Sequence, residues 1–141
     1  MLTGINIYET KPYHSKLDHE KDNPTVFHIG LLDSYLRAYI DDQATSFEFS
    51  SKNKNDLARA NVNASKHNLL AVRFGLKGLE GFLDPSDKKP VKFDTVSVSI
   101  IGKNYMAVSE EILAMLPKVL IDELAEVILS ENTLSGEKAK N

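Results

Sequence analysis

Apolar and polar positions along this chain follow two different rhythms. Between Leu31 and Gln43 the apolar residues are Leu32, Tyr35, Leu36, Tyr39 and Ile40. Steps of three and four put them on one face of a helix. Just before it, Thr25–Ile29 (TVFHI) is β-branched and aromatic and reads as a short strand closed by Gly30. Ser46–Ser50 (SFEFS) alternates, which fits a strand or a loop anchored by Phe47 and Phe49. Ser51–Asn55 is a polar turn, after which Asn55 or Asp56 can cap a helix running from Leu57 to about Phe74. Asn61, Asn63 and Asn68 weaken that helix, because their side chains compete for backbone hydrogen bonds.

The second half is clearer. Val91–Ile101 (VKFDTVSVSII) puts Val96, Val98 and Ile100 on one side of an extended chain. Gly102–Asn104 can turn it back through Tyr105–Val108, so a β-hairpin is expected near 91–108. Ser109 then caps the final helical pattern, with Glu110 and Glu111 at its positive end. Leu113, Leu116, Leu120, Leu124, Val127 and Ile128 form its apolar stripe. Pro117 divides the stripe into a short helix and a longer one that begins at the proline.

These elements predict a small α+β domain, predominantly helical, with short strands or a hairpin near 91–108. Residues 1–24 read as a polar, weakly structured arm, in which Ile5 and Ile7 suit a short strand. Residues 25–131 form one globular domain, and 132–141 a flexible polar tail.

Composition narrows the functional classes. A chain of 141 residues that is 42% hydrophobic supports a single core. The net charge is −3, from 17 basic and 20 acidic residues, so no basic field favours nucleic acid. There is no cysteine, which removes disulfides, thiolate catalysis and zinc–thiolate sites. No apolar run approaches the ~20 residues of a membrane span, and the N-terminus lacks a signal-peptide core. The expected location is the interior of the cell that makes the chain.

Catalytic patterns are weak. His14 and His19, with Asp18 and Glu20, lack the one-turn spacing of a helix-borne metal pair. Gly75, Gly78 and Gly81 recur every third residue, which matches neither a dinucleotide fingerprint nor a phosphate loop. They fit a helix end and tight loop where backbone nears a neighbouring element. No G-x-S-x-G elbow is present. No catalytic, cofactor-binding or metal-binding residue is therefore assigned.

The last helix is apolar around much of its girth. It is either a central core helix or one that also contacts another chain. Met115, Leu116, Val119, Leu120, Leu124 and Val127 are the candidate partner-binding residues there, with Tyr8 and Tyr13 in the arm.

Several blocks carry a resemblance. Val72–Phe82 (VRFGLKGLEGF) is similar to a segment common in small tail-associated proteins of tailed phages. The loop Asp84–Asp87 and the block Pro90–Phe93 follow in the family's order. Leu116–Leu129, then Asn132, Leu134 and Ser135, resemble the family's closing helix, and Thr25–His28 resembles its opening. Thr95–Ser109 looks like an insertion relative to that pattern. The resemblance implies a non-enzymatic tail-assembly chaperone that binds a phage structural protein such as a tape measure, tube or neck subunit. A minor virion component forming a symmetric homo-oligomer is the alternative, and a small phage-encoded enzyme or host-interfering protein the third reading. The implied location is the host cytoplasm or the virion.

Overall fold

The expected TVFHI strand forms as β2 (Val26–Gly30) in the computed structural model, which describes residues 1–48 and 59–139. It is the middle strand of an antiparallel sheet, between β1 (Thr10–Tyr13) and β5 (Leu76–Glu80). Phe27 and Ile29 alternate inward and are buried, while His28 faces the other way.

The helix expected at Leu31–Gln43 is α1 (Ser34–Ala44). Asp33 caps it, accepting from the Leu36 N–H at 2.8 Å. Its apolar face buries Leu36 and Ile40. A second small sheet pairs β3 (Thr45–Glu48) with β4 (Arg59–Val62). The next helix, α2 (Ala64–Gly75), is shorter than expected because Asn63 caps it and accepts from the Lys66 N–H at 3.1 Å. The side-chain chemistry that makes asparagine a poor helix interior makes it a good helix start. The expected turn at 51–55 and the caps at Asn55 or Asp56 lie outside the described residues.

The hairpin exists as β6 (Thr95–Ile100) and β7 (Lys103–Val108), which form a third, two-stranded antiparallel sheet. Ser109 caps α3 (Glu110–Met115), accepting from the Ile112 N–H at 3.4 Å. Pro117 then separates α3 from α4 (Lys118–Ala139), as its missing N–H requires.

Helix α2 is central: it packs against α4, α1 and β7. Phe27, Leu32, Ile40, Val72, Phe74, Val108, Leu124 and Ile128 are fully buried. Phe74 meets Tyr39 and Tyr105 edge-on, with ring centroids 6.3 and 6.5 Å away. The α2–α4 approach is close enough to need a glycine. A Cβ on Gly75 would lie 2.7 Å from Ile128 Cδ1 and Cγ2.

Three expectations are corrected. The fold is not predominantly helical: the described residues are 39% helix and 26% strand, a mixed α+β domain. Strands β1, β4 and β5 account for the difference; they are short and lie beside Pro, Asn or Gly residues that mask a strand pattern. Ile5 and Ile7 form no strand; the arm's strand is Thr10–Tyr13. Helix α4 also continues through the expected tail to Ala139. Asn132 helps fix it, since its amide accepts from the Leu32 N–H (3.2 Å) and donates to the Leu32 carbonyl (2.8 Å).

Candidate interaction surface

The candidate partner residues separate into two groups. Leu116, Leu120 and Leu124 are buried, at 4%, 6% and 0% exposure, and Met115 and Val127 pack partly against the core. On the stripe, the domain's own core takes most of the apolar face. Val119 faces outward at 59% exposure and Tyr8 at 88%. Leu116 also lines a shallow apolar depression with Leu69, Leu113 and Ile121, between α2 and the α3–α4 junction.

Tyr13 belongs to an internal strap. Its hydroxyl donates to Glu123 Oε2 at 2.5 Å, the Ser15 hydroxyl donates to Oε1 at 2.7 Å, and the Lys16 N–H donates to Oε2 at 2.9 Å. Burial pushes the Glu123 carboxyl up, but these donors outweigh it and hold it below its ordinary value. Burial first, then the bond to Glu123 and its charge, raise the Tyr13 phenol to about 12. Lys11 adds an ion pair to Glu131 at 2.9 Å. The strap joins the arm to α4.

Asp18 ties the end of the arm to β2 in a similar way. Asp18 accepts from the backbone N–H groups of Glu20 (3.0 Å) and Thr25 (2.8 Å). Among the described residues no group of three or more His, Asp or Glu side chains is placed to hold a metal ion.

Sequence reasoning assigned no partner residues to the hairpin. Val96, Ile101 and Met106 are exposed there at 40%, 73% and 56%. Ile101 sits at the tip with φ +52°, followed by Gly102 at φ +74°. Positive φ at both central residues matches the type I′ geometry of a two-residue hairpin. Glycine accepts it freely, whereas a β-branched isoleucine is strained there. The one signal in the sequence was the Ile101-Gly102 pair itself, at the point where the alternation reverses.

The hairpin is anchored through β7. Asp33 Oδ2 accepts from the Tyr105 hydroxyl at 2.8 Å and from Lys103 Nζ at 3.1 Å, while the same carboxylate caps α1. Burial raises the Asp33 carboxyl, and the Leu36 N–H, Tyr105 and Lys103 together bring it below its ordinary value. Inward, Ile100 and Ala107 are buried and Val98 is half-buried. Outward, Ser97, Ser99 and Met106 face solvent.

The register fixes where the backbone groups of β6 point. Ile100 pairs with Lys103 across the turn, Val98 with Tyr105 and Val96 with Ala107. The Ser109 N–H donates to the Asp94 carbonyl at 3.1 Å, which extends the same parity by one step. Val96, Val98 and Ile100 therefore bond β7, and Ser97 and Ser99 direct their N–H and C=O groups away from it. No helix of the described residues is long and apolar enough to cross a membrane.

No family model matches the chain, and no curated protein or solved structure matches it either.

Proposed function

We propose that this chain is a non-enzymatic assembly protein of a tailed phage, a tail-assembly chaperone that binds a tape measure, tube or neck subunit in the host cytoplasm. The resemblance of Val72–Phe93 and Leu116–Ser135 to small tail-associated proteins supplies the phage context. The observation that carries the binding role is the hairpin, which holds a strained, exposed Ile101 at its tip and an exposed Met106 on its outward face. Strain and exposed apolar surface on one hairpin cost stability, and a partner that covers them offsets that cost. Met106 and Ile101 lie outside the core, so they can be tested without unfolding the domain.

The experiment is co-expression with each structural subunit encoded beside it, followed by pull-down. Ile101→Asp with Met106→Asp should remove a partner that the native chain retains, with thermal stability kept. Full retention of the partner would reject the binding role. The second reading, a structural component built into the particle as a symmetric oligomer, is favoured by the uncharged β6 edge. Mass spectrometry of purified particles separates the two: stoichiometric copies defeat the chaperone role, and absence defeats the structural one.

A further inference from the structure

Among the described residues β6 pairs with β7 alone, so its other edge has no partner strand. Natural sheets guard such edges with charge, proline or a bulge. The six residues of β6, TVSVSI, contain none of the first two, and the register with β7 runs without a shift. Asp94 Oδ1 occupies the Thr95 N–H at 2.9 Å, which leaves Ser97 and Ser99 as the outward-directed residues in the middle of the edge.

We propose that this edge pairs antiparallel with the same edge of a second copy of the chain, about a two-fold axis at Val98. Ser97 of each copy then faces Ser99 of the other, and each pair exchanges two backbone hydrogen bonds. Val96 faces Ile100 of the copy, so the apolar side of one strand continues into the apolar side of the next. The pairing places no like charges opposite each other, and it brings the exposed Asp94 of one copy beside the Lys103 end of the other. Two separate two-stranded sheets become one continuous four-stranded sheet. A closed two-fold contact also stops at two copies. A single strand edge covers less than the ~800 Å² per partner of a standard interface, so the dimer dissociates on dilution. This inference does not depend on the phage reading, because the purified chain alone suffices to test it.

The mass of the purified chain is measured by analytical ultracentrifugation across a concentration series. A monomer–dimer equilibrium is expected. Ser97→Pro removes an outward N–H and leaves the β7 bonds intact, so it should give a monomer at every concentration. Circular dichroism and thermal melting verify that this variant is folded. Independently, Ser97→Lys with Ser99→Lys sets like charges opposite across the axis and should also be monomeric, as should Ser97→Glu with Ser99→Glu. Mixing the Lys and Glu variants should restore the dimer as a heterodimer. A native chain that is monomeric throughout would overturn the proposal. So would an oligomer that survives in the Lys variant, or a Lys–Glu mixture that stays monomeric.

Discussion

Strands β1 and β6 both lie at the margin of a sheet, but only one is defended. β1 carries Lys11 and Pro12, and Lys11, Tyr13 and the following Ser15 and Lys16 are tied to α4 through Glu131 and Glu123. β6 carries no charge and no proline, and its hairpin is held through the other strand by Asp33. One margin is closed by the chain itself. The other is left competent to pair.

The largest expected effect comes from opening the closed margin. Glu123→Ala leaves the Tyr13 and Ser15 hydroxyls and the Lys16 N–H without their acceptor. Loss of charged hydrogen bonds of this kind costs about 2–3 kcal/mol. A urea titration should show the lower midpoint, and limited proteolysis should cut within residues 1–24 first. An unchanged midpoint would mean that the strap adds nothing, and the contrast between the two margins would fail.

A smaller effect, of opposite sign, belongs to the hairpin. Ile101→Asn replaces a β-branched residue in the left-handed region with one that accepts it, and creates the Asn-Gly pair favoured in type I′ turns. The expected gain is about 1 kcal/mol. A loss of stability on the same titration would show that Ile101 is held by contacts that outweigh its strain.

The smallest effect is in acid. The folded-state value of Glu123 lies below its unfolded one, so its contribution is present above the ordinary glutamate range, about pH 4.3, and is lost as pH falls through the folded value. Asp33 has the same sign. Glu123→Gln should therefore flatten the acid limb of stability against pH, while the Asp33 contribution to that limb persists. Equal slopes in the two proteins, from urea midpoints between pH 3 and 6, would contradict this.

Much of this contrast was hidden in the sequence. Local signals were legible: the Ser109 cap, the break at Pro117, the α1 face and the hairpin arms all follow from neighbouring residues. β1 was not, because Thr10–Tyr13 becomes a strand only by pairing with Val26–Gly30 across an irregular loop, and a proline inside it argues against a strand. β5 was obscured for a related reason: the β2–β5 register shifts between His28 and Ile29, which spoils a clean alternation in LKGLE. Periodicity found the apolar stripe of Leu116, Leu120 and Leu124, yet it cannot say whether a stripe meets its own domain or a partner. The candidate interaction surface was half legible. The hairpin could be read, but whether β6 is a margin depends on which strands lie beside it, and residue type does not record that.

The contact of Gly75 with Ile128 ties the fate of two distant positions together. A methyl group added at residue 75 has nowhere to go unless the isoleucine gives up bulk, so drift at one site demands drift at the other. Gly75→Ala alone should be selected against, while Gly75→Ala with Ile128→Ala, which removes both side-chain atoms 2.7 Å away, should restore the fit. Any lineage descended from this fold is thus expected to carry the two residues as a matched set, with bulk on one side only.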